Sequence, residues 1–438
     1  CSLHSVAGAV SVALGMHDID AYFLPDQLAE IQGFTDTNED PLAHLGPAYT
    51  RKIFYHAIHD IGQALVDSPL VVTACTGFMA GGPATPDGHW LLARNFDFDG
   101  GSGFDALKVV TFVAPDQGIP YVSVSFAGMT GVMTGVNREG VAVALQAGAS
   151  GTPVRLGMPM TLIAQEILSS AASLDQAQAI LERRRGLVAE NVLVVDGEAG
   201  QAALFEVTPE RVERVDVDGA LSVSNHFRSP ALLEDEVNVV RKAEGTTVPR
   251  LARMEELVAE SYGQLDMASA VRVLQDRRGP GGVDLPRGHR WAIDADIATH
   301  SVVIDATARR IWVSRFPNTA GGYVGYDLED GLAGVLRPVE VVPAGDPQAT
   351  LDVHQSRALV REAAQQSPPE AERLARQALA LNPGHPEPLQ ALATALIAQG
   401  RDAEAAPLVR QALDAPPEHA HQVRELEAML AADSIPVP

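Results

Sequence analysis

Cysteine is nearly absent from this chain, with only Cys1 and Cys75 among 438 residues. Two cysteines make at most one bridge, which excludes a disulfide-stapled scaffold and makes a free reactive thiol the option of interest. Basic residues are also scarce, 32 against 56 acidic, for a formal charge of −24. That surplus repels phosphate backbones and anionic lipid, so nucleic acid is excluded as a partner. No run of 18 or more apolar residues occurs, so no transmembrane span is expected. No metal site is expected either. His56 and His59 read as a partly exposed helix face and not as a metal site, and His419 with His421 is similarly weak. The glycine run Asp99-Gly100-Gly101-Ser102-Gly103 matches no phosphate-binding pattern, reads as a flexible turn, and implies no cofactor.

What is present is ordinary globular material, 46% hydrophobic and 20% charged, in a chain long enough for two or three domains. The chain opens on Cys rather than Met, so a segment upstream is expected to have been removed. Cys1 then reads as the point where a fragment was cut, or alternatively as the lipid-bearing residue of an exported lipoprotein. The compartment stays open between these, the cytoplasm included.

Residues 1–74 read as mostly helical, with apolar residues at three- and four-residue spacing in Leu24–Ile31 and Tyr55–Leu65. Short β-branched runs follow at Val71–Ala74, Trp90–Ala93, Val109–Val113, Tyr121–Phe126, Gly131–Val136 and Val141–Leu145, with turn signals between them. Met160–Arg183 reads as one amphipathic helix behind Pro159. Strands resume at Asn191–Val195, Ala202–Val207 and Leu221–Ser224. Helices are expected at Val248–Glu260 and Met267–Asp276, the second capped by Asp266, and closing strands at Ser301–Asp305 and Arg310–Ser314. This order predicts an α+β fold, two packed sheets with helices outside. Beyond Pro343-Ala344-Gly345 strand signals cease. Ala378-Leu379 with Pro383 and His385 recurs 34 residues later as Ala412-Leu413 with Pro417 and His419, the tetratricopeptide period. About one and a half repeats fit, with helices at Leu389–Gln399 and Ala403–Leu413, so a short appendage for packing or protein contact is expected.

The segment that carries chemistry is Cys75-Thr76-Gly77-Phe78, then Asp87-Gly88, then Ala93-Arg94-Asn95-Phe96-Asp97. It reads as a cysteine at a strand start, a hairpin, and a return strand that brings Arg94 and Asp97 back beside Cys75. A guanidinium next to a thiol enlarges the thiolate fraction, and a carboxylate there can orient a proton carrier. Taken alone, the same residues also suit an inert buried cysteine and a hairpin salt bridge.

These motifs resemble the choloylglycine-hydrolase and penicillin-acyltransferase type of N-terminal nucleophile (Ntn) hydrolase, the peptidase C45 group. That family shows Cys-Thr, an Asp-Gly turn and an Arg-Asn-x-Asp strand. The resemblance continues through Gly135-Val136-Asn137-Arg138-Glu139-Gly140, Ser224-Asn225-His226-Phe227 and Thr299-His300, over about residues 20–330. It implies a four-layer αββα sandwich of two antiparallel sheets. The matching division is a helical segment 1–74, a catalytic domain 75–343 and an all-α tail 344–438. It further implies self-cleavage between Ala74 and Cys75, which frees the Cys75 α-amine. A free α-amine has a pKa of about 7.7–8.0 and can take the thiol proton and return it. By the same resemblance Asp97 holds that amine, Arg94 stands beside the thiol, and the Asn225 amide helps form the oxyanion hole. Arg250 matches a further active-site arginine, with Arg253 competing for the alignment. Where bile-salt hydrolases carry asparagine this chain has Gln146, which leaves the second oxyanion contact to the glutamine or to a backbone N–H.

The implied substrate is a small N-acyl amide, cleaved through a Cys75 thioester, or an acyl donor whose acyl group passes to an amine. Phe78, Met79, Phe96, Phe98, Phe104, Met129 and Met133 are candidates for an acyl lining, or plain core. Two other classes remain at this point. One is a papain-like protease pairing Cys75 with His226. The other is a non-catalytic interaction protein led by its helical tail.

Overall fold

The computed structural model describes residues 18–41, 43–64, 73–98 and 102–432; Cys1 and the Asp99–Gly101 run lie outside them. Among the described residues fourteen strands are formed: β1 Thr73–Ala80, β2 Leu91–Phe98, β3 Lys108–Val113, β4 Tyr121–Phe126, β5 Thr134–Asn137, β6 Val141–Ala147 and β7 Glu190–Asp196, then β8 Gln201–Val207, β9 Val212–Asp216, β10 Ala220–Val223, β11 Ala298–Asp305, β12 Arg310–Ser314, β13 Tyr323–Asp327 and β14 Val341–Val342. They make two seven-stranded sheets, one in the order β10-β1-β2-β11-β12-β13-β14 and the other running β3 to β9 in chain order. Every pairing between these strands is antiparallel.

The alternation of side chains along each strand sorts the core into layers. Ala142 and Ala144 of β6 point inward with Leu193 and Val195 of β7, and meet Met79, Leu92, Val302 and Ile304 of the first sheet. The intervening Val141, Val143 and Leu145 point the other way. Helices α1 (Pro25–Thr37), α2 (Ala48–His56) and α3 (Ile58–Ala64) precede the strands, the short α4 (Ser102–Ala106) follows β2, and α5 (Met160–Ser170) and α6 (Leu174–Arg183) follow β6. Ile31, Ile53, Leu162, Ile167 and Ile180 from these helices cover that outer face. On the far side, α7 (Glu236–Glu244), α8 (Thr247–Glu260) and α9 (Met267–Leu274) lie after β10. From them Met254, Val258, Ala270 and Leu274 close over Phe78, Ala80, Ala93 and Val303. The result is the expected four-layer αββα sandwich.

Met160–Arg183 is two helices, not one. Ala171 takes an extended conformation, and Ser173 caps the second helix by accepting the Gln176 N–H at 3.3 Å. Asp266 caps α9 as expected, accepting from Ser269 N at 2.8 Å. The tail is longer than one and a half repeats. After the one-turn α10 (Leu328–Leu332) come α11 (Pro347–Ala363), α12 (Pro368–Leu381), α13 (Pro386–Ile397), α14 (Asp402–Asp414) and α15 (Ala420–Ala432), with a core of Ala375, Leu389, Leu392, Leu396, Val409 and Leu426.

Candidate functional site

Cys75 is the third residue of β1, and β1 pairs with β2 in a register that sets Cys75 opposite Phe96, Gly77 opposite Arg94 and Ala74 opposite Asp97. Period-two alternation therefore places Cys75, Gly77, Arg94 and Phe96 on the inner face, between the sheets. Arg94 is fully buried, and its Nη2 lies 3.3 Å from Cys75 Sγ. Its other amino group, Nη1, donates to Met133 O at 3.2 Å and to Thr134 Oγ1 at 3.0 Å, which fixes the guanidinium from the second sheet. Burial pushes the Cys75 thiol up, and Arg94 opposes that; the Ala147 backbone N–H, directed at the sulfur, also lowers it.

Gly77 is required at its position. A Cβ there would stand 2.6 Å from both Ala93 O and Gln146 Nε2. Gln146 thus packs against β1 with its amide buried, and neither of its polar side-chain atoms has a hydrogen-bond partner.

Asp97 stands on the outer face of the same sheet, reached through the backbone of Cys75 rather than beside its thiol. Both carboxylate oxygens are buried without a hydrogen bond. Burial pushes Asp97 up to about 7, against the pull of Arg250, Arg290 and Arg94 and with the push of Asp294. On this face Arg250, from the first turn of α8, donates Nη1 to Cys75 O at 2.6 Å and to Thr76 Oγ1 at 2.5 Å, and Nη2 to Asn225 Oδ1 at 2.8 Å. Arg253, one turn on, pairs instead with Asp276 and Glu256. Of the two competing arginines, Arg250 is therefore the one that touches the cysteine, through its carbonyl.

Asn225 follows β10 and is buried. Its Oδ1 accepts the Cys75 backbone N–H at 2.8 Å as well as Arg250, while its Nδ2 donates to Ala147 O at 3.0 Å. With two donors on one atom and a carbonyl on the other, the orientation of the amide is fixed by its partners. The sequence-predicted Cys75, Arg94, Asp97, Asn225 and Arg250 are thus brought together, with Ala74 in the same strand. His226 is not part of the group. Its Nδ1 is 2.8 Å from Thr247 Oγ1, burial drives it down to about 4, and the hydrogen bonds of Cys75 run to Asn225, Arg94, Arg250 and Ser224.

Near Cys75, on the inner face where the Arg94 guanidinium lies over the Phe96 ring at 4.8 Å, an apolar cavity of about 260 Å³ is lined by Phe96, Phe98, Phe104, Phe126, Met129 and Met133 together with Tyr55, Ile58 and His59 from the N-terminal helices. Cys75 belongs to the same apolar cluster. Phe78 and Met79 do not contribute; they sit in the outer and inner cores of the first sheet.

One further group has almost no signature in the sequence. His59 is buried, with Nδ1 3.1 Å from Asp60 and Nε2 4.0 Å from Glu190, and His56 is buried too, bonded to Lys52 O and Thr130 N. The expectation of a partly exposed face fails because α2 and α3 are covered by α5, with Asp60 accepting the Met160 N–H at 2.9 Å. Glu190 is pushed up to about 8 by burial, against the opposing charges of His59 and Arg94. A lone Glu at the head of the apolar run Asn191–Val195 is the only signal that could have found it.

Compared with known proteins, residues 84–290 match the family model "Acyl-coenzyme A:6-aminopenicillanic acid acyl-transferase", and residues 362–430 match a tetratricopeptide repeat. An uncharacterized protein of Archaeoglobus fulgidus is 26% identical over 218 residues, 44% of this chain. The match spans 36% of that relative's length. Similar solved structures include a conjugated bile acid hydrolase variant from Clostridium perfringens (12% identity, 62% of this chain and 98% of that one, TM-score 0.44). Others are penicillin V acylase from Agrobacterium tumefaciens (16%, 58% and 86%, 0.40) and a Caenorhabditis elegans ortholog of N-acylethanolamine-hydrolyzing acid amidase (15%, 53% and 93%, 0.39). By the family models, the chain resembles the penicillin-acyltransferase family over residues 84–290 and carries a tetratricopeptide-like tail over residues 362–430.

Proposed function

We propose that the protein is a self-processing cysteine acylhydrolase that cleaves the amide of a small N-acyl compound. The observation that carries the reading is the Arg94 guanidinium 3.3 Å from Cys75 Sγ, beside an apolar cavity sized for an acyl chain. In self-cleavage the Cys75 thiol attacks the Ala74 carbonyl, the peptide C–N bond breaks, and the α-amine is freed as a thioester forms; water then releases the segment that ends at Ala74. The resulting division is the segment 1–74, the catalytic unit 75–343 and the tail 344–438.

In the processed enzyme the α-amine takes the thiol proton, Sγ attacks the acyl carbonyl, and the C–N bond breaks as the leaving amine receives that proton. Water, or an acceptor amine, then takes the acyl group from sulfur. Asp97 holds the α-ammonium from the outer face of the sheet, with Arg250 bracing the Cys75 carbonyl. Arg94 favours the thiolate. The Ala147 N–H, already directed at Sγ, is suited to the developing oxyanion. Asn225 can join it once its Nδ2 leaves Ala147 O.

Intact-mass spectra of the full natural chain and of Cys75→Ala test the reading. A split between Ala74 and Cys75 in the wild type alone is expected; an uncleaved wild type with a folded, reactive Cys75 overturns it. Transfer to an amine is the second reading, favoured by the acyl-transferase family model. It predicts an N-acyl product when the enzyme is supplied with an acyl donor and an excess of amine.

A further inference from the structure

The outer face of Asp97 is built by a segment that the C-terminal helices hold in place. Residues 287–296 lead directly into β11, whose Ala298 is the cross-strand partner of Asp97. From this segment Arg290 and Asp294 act on the Asp97 carboxylate; Arg250 of α8 and Arg94 of β2 are the other charges that act on it. Neither Asp97 oxygen has a hydrogen bond, so beyond burial, the largest influence, it is the placement of these charges that tunes its ionisation.

Asp294 itself is held inside the catalytic unit, by Arg277 and Thr319 at 2.6 Å each. The rest of the segment is held by the tail. Glu418, at the entry to α15, accepts the backbone N–H of Arg290 at 2.7 Å, and Pro416 O lies 2.8 Å from His289 Nε2. Arg357 of α11 donates to the carbonyls of Gly288, Ala295 and Asp296. Thr350 donates to Asp296 Oδ1 at 2.6 Å. Asp296 has a φ of +51°, a left-handed conformation that a non-glycine residue keeps only where its surroundings hold it. Glu418, Arg357 and Thr350 are all buried against this segment, so the tail does not hang free.

We propose that the tetratricopeptide-like tail is a positioning element of the catalytic centre, with Glu418 holding the Arg290 backbone and so the segment that leads into Ala298, the cross-strand partner of Asp97. The proposal rests on the reading that Asp97 serves the Cys75 amine. Glu418 touches no reacting atom; it acts through Arg290. Loss of its hydrogen bond frees the Arg290 backbone and loosens the segment next to Asp97, while Asp294 stays held by Arg277 and Thr319; with the pull of Arg290 weakened, the Asp97 carboxylate becomes easier to protonate.

The test uses the full chain, wild type and Glu418→Ala, Glu418→Gln, Asp97→Asn and the Glu418→Ala/Asp97→Asn double variant. Two quantities are read. One is self-cleavage by intact mass. The other is the pH dependence of Cys75 alkylation by iodoacetamide in the processed protein, with the modified site assigned by peptide mass. Glu418→Ala is expected to move the acidic limb of the alkylation profile up by about one pH unit. Glu418→Gln, which keeps the acceptor oxygen, restores most of that shift. In the Asp97→Asn background Glu418→Ala adds no further displacement, where a merely structural defect adds its own. A wild-type profile for Glu418→Ala beside a displaced one for Asp97→Asn overturns the positioning role and leaves the reading of Asp97 standing. An Asp97→Asn variant with unaltered cleavage and profile overturns both. Should Glu418→Ala fail to fold, Glu418→Asp withdraws the carboxylate by one methylene, and a smaller shift in the same direction is expected; no shift overturns the proposal.

Discussion

Arg94 Nη2 and Cys75 Sγ stand 3.3 Å apart between the two sheets, two residues from being cross-strand partners. The diagonal contact exists because Gly77, directly opposite Arg94, has no side chain to intervene. Burial alone leaves a thiol protonated, so the guanidinium is the main group favouring thiolate here. Replacing it with an apolar side chain of similar length, Arg94→Met, is expected to slow iodoacetamide alkylation of Cys75 at neutral pH by about tenfold or more. Far-UV circular dichroism checks that the fold is kept. An unchanged rate refutes the role given to Arg94.

Asp97 makes a separate prediction about stability. Its carboxyl lies at about 7 in the fold, raised chiefly by burial from an ordinary 3.8. The protonated form is thus favoured in the folded chain. Its contribution to stability is full below about pH 4 and is lost as the pH rises through 7. In a Cys75→Ala background, which holds the chain uncleaved, Asp97→Asn is expected to be more stable than its parent at pH 8 by roughly 1–3 kcal/mol, the gain shrinking toward pH 4. Urea unfolding at the two pH values measures it. A gain that does not vary with pH assigns the effect to packing instead of ionisation.

The hairpin that brings Arg94 to Cys75 and both outer helix layers are legible because each depends on local pattern: a hairpin motif, strand alternation, a helical period. Legibility ended where long-range packing decides. The face on which Asp97 lies follows from a register that no single strand reveals. The burial of His59 follows from α5 covering α3. In the sequence Glu190 is one charge beside an apolar run, and the docking of the tail depends on Glu418 meeting the backbone of a loop 128 positions away. The break within Met160–Arg183 was not legible because Ala171 and Ser173 suit either a helix interior or an interruption, and Ser173 decides it only by capping α6.

On the proposed function, the apolar cavity near Cys75 receives the acyl group and should limit its length. Met129 lines its wall, so Met129→Trp fills part of the roughly 260 Å³ without touching Cys75, Arg94 or Asp97. Each buried methylene contributes about 0.8 kcal/mol, so excluding two of them lowers kcat/KM by about tenfold. A homologous series of N-acyl 4-nitroanilides should show that loss for the longest chains accepted by the wild type, with the shortest unaffected. A uniform loss along the series places the acyl chain elsewhere.

The segment before the scissile bond is expected to stay with the enzyme after cleavage. Tyr55, Ile58 and His59 form one wall of the cavity, and all three precede Ala74. Ile19, Phe23, Ile31 and Ile53 are buried in the same core as Leu162 and Ile167 of α5, and Gln27 donates to Leu162 O at 2.9 Å. Stripping those side chains from the core would expose several large apolar groups, each with a cost of about 1.5–3 kcal/mol. The fragment therefore has no favourable route off the folded chain once the peptide bond is cut. Size-exclusion chromatography of the cleaved protein should elute both fragments together, and denaturant that separates them should abolish turnover. A catalytic fragment that is fully active after the N-terminal one has been washed away would remove α2 and α3 from the acyl pocket and return that wall to solvent.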